Sequence, residues 1–221
     1  MPEIQVVENI LNANDQLAAQ IRARFDAVGL LALNMMASPG AGKTSVIMNT
    51  IQALKDTVGI GVMDGDVVML DVDRIAQLGV PVTLINTGGD CHLDANMVHQ
   101  ALPALDLNAL DLLIIENVGN LICPAAFKLG VHLNVVIASV PEGADKPYKY
   151  PAMFRGADVL LLNKMDLCAY QEFDVDYFHH GVEVLNPGVA FFPISCRTGE
   201  GFDAWLEWLR ARVSERSAAS A

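Results

Sequence analysis

Three groups of residues in this chain have the types and spacing to do chemistry. The first is Ala37-Ser38-Pro39-Gly40-Ala41-Gly42-Lys43-Thr44, which has the pattern of a loop that wraps phosphate. Small residues there let backbone N–H groups close on phosphate oxygens, and the helix that follows adds the positive end of its dipole. The lysine reaches the β- and γ-phosphates, and the hydroxyl suits Mg²⁺. Gly40, Ala41, Gly42, Lys43, Thr44 and Ser45 are the candidate phosphate contacts. The second group, Asn163-Lys164-Met165-Asp166, has the residue types that read guanine. The Asp166 carboxylate accepts from guanine N1–H and the exocyclic amine, a pair that adenine does not offer, and a buried carboxylate left unpaired rejects the wrong base. Asn163 is expected to serve the other base edge, and the Lys164 stem to cover the ring. Downstream, Ser195-Cys196-Arg197 offers a backbone N–H for the guanine carbonyl, while Ser195 equally fits a cap before Gly199.

The third group is Cys91, His92 and Cys123. Neighbouring residues diverge on a helix or a strand, so Cys91 and His92 can share a metal only from a loop or a helix start. Thr87-Gly88-Gly89-Asp90 supplies such a loop. Thiolate and imidazole together suit Zn²⁺ or Ni²⁺. A closed tetrahedral site needs one more ligand, from water or a second subunit, unless a position stays open. Taken singly, each cysteine also fits a small buried apolar role. Carboxylates stand at two further strand ends, in Asp64-Gly65-Asp66 and Glu116-Asn117-Val118-Gly119-Asn120. Glu116 and then Asp66 are the candidates to hold Mg²⁺ with Thr44 or to orient an attacking water, which makes Lys43, Asp66 and Glu116 the catalytic set. Asp71 and Asp73 fit a solvated first helical turn. Gly119 is a hinge suited to a loop that senses the γ-phosphate. Cys168, His99, His132, His179 and His180 have no comparable setting and read as structural or surface residues.

These groups need elements to hold them. Apolar runs at 30–36, 60–63, 82–85, 112–116, 135–140, 159–162 and 190–194 read as strands, with helical stretches between most of them. Such continuous runs fit strands covered on both faces, and alternating β and α units imply an α/β fold with a doubly wound, mainly parallel sheet. Ligands then sit at the carboxyl ends of the strands, where all three groups fall. Residues 43–55 follow the phosphate loop as a helix, the context of a P-loop NTPase. Ile10, Leu11, Leu17, Ile21 and Phe25 recur at helical spacing, so residues 1–28 are expected to form a helical extension of one or two helices packed on a 29–213 domain. The tail 214–221 is expected to fray.

With 221 residues, about half of them apolar, the chain fits one domain with a large core. A net charge of −12 argues against a nucleic-acid partner and against anionic membranes. No run reaches the roughly 18 apolar residues of a membrane helix, and no signal peptide is visible at Met1-Pro2-Glu3-Ile4, so the expected compartment is the cytoplasm. The four cysteines include no CxxC pair, which leaves a zinc ribbon or a dithiol redox site without support.

The strings Asn34-Met35-Met36-Ala37-Ser38-Pro39-Gly40-Ala41-Gly42-Lys43-Thr44, Gly89-Asp90-Cys91-His92-Leu93-Asp94-Ala95, Glu116-Asn117-Val118-Gly119-Asn120-Leu121-Ile122-Cys123-Pro124 and Asn163-Lys164-Met165-Asp166-Leu167 resemble the hydrogenase nickel-incorporation GTPases, the HypB family. The likeness runs from Ile10 to Gly201. It implies a SIMIBI-class GTPase using GTP and Mg²⁺, which forms a homodimer through its switch face when GTP is bound. It implies that Cys91, His92 and Cys123 bind Ni²⁺ or Zn²⁺ at that interface. It also implies nickel delivery to a [NiFe]-hydrogenase large-subunit precursor, together with a small zinc-containing accessory protein of the HypA type. The loop Pro141-Glu142-Gly143-Ala144-Asp145-Lys146-Pro147 matches the family as well, with Lys146 or Lys149 as candidates to reach the opposite subunit's nucleotide.

Three features depart from the family pattern. Ala37 replaces the usual Gly or small residue, the switch from Asp66 to Asp71 is one residue short and lacks its usual Thr, and no Cys-rich or His-rich nickel tract is present. No arginine finger is evident, Arg74 and Arg155 being no more than candidates, so slow turnover is expected. The competing readings are a metal-binding scaffold with vestigial GTPase activity and a GTPase chaperone for another metalloenzyme such as urease. The urease family carries Cys-Pro-His, which this chain lacks.

Overall fold

The computed structural model describes residues 6–66 and 70–219. Strands β1 (Leu31–Ala37), β2 (Ile60–Asp66), β3 (Val82–Asn86), β4 (Leu112–Glu116), β5 (Leu133–Ser139), β6 (Val159–Asn163) and β7 (Ala190–Pro193) form one sheet in the order β3-β2-β4-β1-β5-β6-β7. Every adjacent pair is parallel. Every residue of β1 is buried, as a central strand covered on both faces requires. The helices are α1 (Val6–Ala27), α2 (Lys43–Leu54), α3 (Leu70–Ala76), α4 (Ala95–Ala101), α5 (Lys146–Lys149), α6 (Pro151–Arg155), α7 (Val175–Leu185) and α8 (Phe202–Ala219).

Side-chain alternation along the strands splits the core between two layers. Leu31, Leu33 and Met35 face α2 and α8 with Ile47, Ile51, Trp205 and Leu209. Trp205 is fully buried, and its indole N–H donates to Thr50 Oγ1 at 3.1 Å, so the polar end of the largest core side chain is satisfied. On the other face, Ala32 and Leu113 meet Ile21 and Phe25 of α1 and Val98 of α4. Met36, Val136 and Leu160 meet Phe154 of α6 and Phe178 of α7. The segment expected as one or two helices is a single helix over its described length, and its Ala18, Ile21 and Phe25 belong to this core.

Two element ends move relative to the sequence expectation. Strand β2 continues past Met63 to Asp66, because its pairing with β3 persists through Asp66↔Asn86 and carries Asp64 into the sheet. Helix α8 continues past Val213 to Ala219, through most of the segment expected to fray. Val213 is buried there, Ser217 Oγ donates to Val213 O at 3.2 Å, and Arg216 pairs with Asp26 at the end of α1. Among the described residues no helix is long and apolar enough to cross a membrane.

The registers Met35↔Glu116 and Asp64↔Glu116 align the carboxyl ends of β1, β4 and β2. The loops that leave these ends carry the candidate site.

Candidate functional site

Strand β1 delivers the chain into the phosphate loop. Ala37 is its last residue, paired with Ile137 in extended backbone, so its methyl group causes no strain. Gly40 and Gly42 do need their type, with φ of 79° and 103°. A Cβ on Gly42 would also stand 2.5 Å from Asn163 Nδ2. Gly42 precedes α2 without a side-chain cap, which leaves the first-turn N–H groups for an anion. Two clefts open beside this loop. One, of ≈ 500 Å³, is lined by Gly40, Lys43, Thr44, Asp66, Asp71 and Glu116 among others. The other, of ≈ 470 Å³, is lined by Asn163, Lys164, Asp166 and Cys196 among others. Gly42, Ser45 and Arg74 line both, so the two form one continuous groove of nucleotide size.

The first cleft holds a concentration of carboxylates. Thr44 Oγ1 lies 2.9 Å from Glu116 Oε1 and 3.0 Å from Asp71 Oδ2, and Lys43 Nζ lies 3.9 Å from Glu116 Oε1. A hydroxyl has one proton and cannot donate to both acids at once. Asp64 and Glu116 are 2 % and 5 % exposed, and Asp64 Oδ2 and Glu116 Oε2 have no hydrogen-bond partner. Burial, reinforced by Asp66 and Asp71, pushes the Asp64 carboxyl up to about 6. Burial, opposed by Lys43, pushes Glu116 up to about 7. Clustered, buried, partly unpartnered carboxylate oxygens beside a hydroxyl are a hard donor set, and they fit Mg²⁺. Asp66 lines this cleft as expected from the sequence. Asp71 lies in the first turn of α3, as the sequence allowed, and from there faces Thr44 and pairs with Arg74 at 2.9 Å. Asp64 was legible by strand period, since it shares a face with Asp66; nothing local marked Asp71.

In the second cleft, Asn163 is 1 % exposed and lines the wall. Its Nδ2 donates to Ala41 O at 3.0 Å, and its Oδ1 accepts from Lys164 N at 2.8 Å and Cys196 N at 3.2 Å. It therefore bolts the phosphate loop to both base-side loops. Of the Ser195-Cys196-Arg197 backbone N–H groups, one of which was expected for the guanine carbonyl, that of Cys196 donates to Asn163. Lys164 has φ of 63° and lays its Nζ 2.6 Å from Gly40 O, across the phosphate loop. Ser195 is fully buried and donates to Asp166 Oδ1 at 2.7 Å while accepting from Thr198 N at 3.2 Å. It caps the turn and orients the Asp166 carboxylate, and it does not itself line the cleft. Arg197 reaches Asp166 at 3.8 Å.

Cys91, His92 and Cys123 converge from two loops, with donor atoms all within 4.8 Å of one another. Cys91 Sγ lies 3.6 Å from His92 Nδ1. A hydrogen bond with the Cys123 thiol is the main cause that raises the Cys91 thiol above its ordinary value. Gly88 and Gly89 adopt φ of 63° and 100° to make the loop, and Asp94 ends it by capping α4 at Met97 N. The His92 ring packs on Phe127 with centroids 4.0 Å apart, an orienting contact the sequence did not mark. Next to Cys123, Ile122 is 66 % exposed. Leu93 packs where a Cβ on Gly65 would stand, between Asp64 and Asp66, so the root of this loop touches the strand that carries the cleft carboxylates.

In the 141–147 loop, Glu142 accepts from Ser38 Oγ and from Ser139 Oγ, tying the loop to the phosphate loop. Lys146 lies over the Tyr150 ring, and Lys149 pairs with Asp145. Arg155 lines neither cleft.

A family model described as "CobW/HypB/UreG, nucleotide-binding domain" matches residues 32–193. The hydrogenase maturation factor HypB of Azotobacter vinelandii is 47% identical over 214 residues, which are 96% of this chain and 71% of that protein. Among solved structures, HypB from Archaeoglobus fulgidus is similar at a TM-score of 0.86 and 39% identity, covering 92% of this chain and 100% of that one. HypB from Helicobacter pylori in complex with nickel is similar at a TM-score of 0.87 and 37% identity, covering 93% of this chain and 97% of that one.

Proposed function

Because the chain belongs to the HypB hydrogenase maturation factors, within the CobW/HypB/UreG nucleotide-binding domains, we propose that it is a GTP-hydrolysing nickel chaperone whose nucleotide state controls its metal site. One observation carries this reading. The segment from Glu116 to Cys123 starts with a carboxylate on the nucleotide cleft and ends with a thiol beside Cys91 and His92.

The chemistry follows from the residues. Asp166, held by Ser195, accepts from the two guanine donors, and Asn163 keeps its loop in register with the phosphate loop. The N–H groups of residues 40–45 and the Lys43 ammonium bind the phosphates. Thr44, Asp66 and Glu116 would hold Mg²⁺, with Asp71 and Asp64 close by; when bound, the ion neutralises charge on the phosphates. Asp66 and Glu116 orient the water that attacks the γ-phosphate in line. Beyond Lys43, the other cation that lines this cleft, Arg74, is held by Asp71, so turnover is slow and serves as a timer.

Nickel is cargo. Two thiols and an imidazole form a soft, open ligand set that also accepts Zn²⁺, and a second copy of the chain completes it across the exposed Cys91 and Ile122 surface in the GTP state. The receiving protein is a [NiFe]-hydrogenase large-subunit precursor, with a small zinc-containing accessory protein as the other partner, all in the cytoplasm. Loss of the γ-phosphate relaxes the segment from Gly119 to Pro124 and loosens the metal.

The test is nickel bound per subunit, together with oligomeric state, in GDP and in a non-hydrolysable GTP analogue. Nickel affinity and dimerisation that both change with the nucleotide support the reading. Nickel binding indifferent to the nucleotide rejects it in favour of a scaffold. Multiple-turnover hydrolysis lost in Lys43→Ala excludes a vestigial GTPase.

A further inference from the structure

Glu116 and Asn117 are consecutive at the end of β4, and their side chains go opposite ways. Glu116 meets Thr44 in the nucleotide cleft. Asn117, 1 % exposed, accepts from Leu93 N at 3.1 Å and from Val118 N at 2.9 Å through Oδ1, and donates to Asn34 Oδ1 at 3.0 Å. Asn34 in turn donates to Asn134 Oδ1 at 3.2 Å, and it sits on β1 just before the phosphate loop. Three residues on from Asn117, Asn120 donates to Cys91 O at 3.2 Å while accepting from Ile122 N at 2.8 Å. The two amides thus grip the metal loop on either side of His92, one at the Cys91 carbonyl and the other at the Leu93 N–H. Between them, Gly119 abuts the phosphate loop so closely that a Cβ there would stand 3.2 Å from the backbone N and Cα of Pro39.

We infer that Asn117 and Asn120 form a clamp that makes the Cys91–His92 loop travel with the Glu116–Cys123 segment, so that nucleotide state reaches all three metal-binding side chains as a unit. Without the clamp, a relaxing switch would displace Cys123 alone and leave Cys91 and His92 in place. With it, the whole ligand set responds to one γ-phosphate. Neither asparagine lines the two clefts or belongs to the Cys91–His92–Cys123 group, so both are positioning residues. The inference rests on the nucleotide-coupled metal reading above.

The experiment measures Ni²⁺ affinity of the full chain with GDP and with a non-hydrolysable GTP analogue, for wild type, Asn120→Ala and Asn117→Ala. It also measures the affinities for the GTP analogue and for GDP, each with and without Ni²⁺. Coupling is reciprocal, so the nickel-affinity ratio between the two nucleotide states must equal the factor by which Ni²⁺ changes the preference for the GTP analogue over GDP, and in coupled systems such ratios are typically about 5–150-fold. The expected result is that Asn120→Ala keeps the wild-type nickel stoichiometry and the nickel-free nucleotide affinities while both ratios fall to within about twofold of one. A merely structural residue would move the affinities in both nucleotide states equally and leave the ratios alone. Asn117→Ala strips several buried bonds; if it does not fold, Asn120→Ala decides alone. Wild-type ratios retained in Asn120→Ala overturn the clamp and leave the nucleotide-coupled reading intact. Loss of nickel binding in both states also overturns it, because the residue would then support the ligands rather than transmit to them. A wild-type ratio of one overturns the clamp and the reading together.

Discussion

Replacing Glu116 by Gln is expected to make the metal-free protein more stable and the Mg²⁺-nucleotide complex weaker. Glu116 is 5 % exposed, one of its oxygens has no partner, and Asp64 and Asp71 add like charge to its surroundings. An ordinary glutamate carboxyl titrates at 4.5, and burial pushes this one up to about 7. Below 4.5 the group is protonated in both the folded and the unfolded chain and favours neither. Between 4.5 and about 7 the unfolded chain gives up its proton freely, while the folded chain must keep the proton or bury a charge. Stability is therefore lost as pH rises through this window. At about 1.36 kcal/mol per pH unit the loss is roughly 3–4 kcal/mol, with the Lys43 attraction already counted in it. Gln keeps the acceptor for Thr44 and brings a donor to the carboxylate cluster without charge. Thermal unfolding in chelator at pH 8 should then show the variant melting about 6–16 °C above wild type. At pH 4.5 the two should nearly coincide. Adding GDP and Mg²⁺ should reverse the order, since only the wild type regains a charge for the cation. A variant that melts at or below wild type at pH 8 in chelator would refute the argument, because the carboxylate would then be stabilised where it stands.

Ser195→Ala removes a hydrogen bond to the Asp166 carboxylate, worth about 1.5–3 kcal/mol, so guanine nucleotides should bind roughly 10–100-fold more weakly by calorimetric titration; unchanged affinity would show that Asp166 needs no support. Gly42→Ala forces a side chain into φ of 103° and against the Asn163 amide. It should cost about 1–3 kcal/mol of stability and abolish phosphate binding, a claim that wild-type melting and nucleotide binding in the variant would end. Cys123→Ala should bind GTP normally yet lose the nucleotide dependence of nickel binding, and a variant that keeps this dependence would remove the thiol from the ligand set.

Much of the architecture was legible in local pattern. Runs such as Leu112-Leu113-Ile114-Ile115 fit a strand buried on both faces, and their alternation with helices implies a parallel sheet with its loops at one edge. Gly40, Gly42 and Lys43 carried their role in their spacing, because backbone closure on phosphate depends on residues a few positions apart. Cys91, His92 and Cys123 were legible as a set through their ligand chemistry, although only the fold brings their donor atoms within 4.8 Å.

What the sequence determined by itself, then, is which residue types stand at the carboxyl ends of the strands. Only the tertiary structure decided what each one meets. Asn163 ties into the phosphate loop because β6 ends where Ala41 offers a carbonyl 122 residues away in sequence. Asp71 faces Thr44, and Asn117 and Asn120 reach the Cys91 loop, because the order β3-β2-β4-β1 brings the ends of β2, β3 and β4 beside the phosphate loop that leaves β1. Strand order is set by how whole helical layers pack on the sheet, a long-range balance of buried surface that no short run of residues encodes.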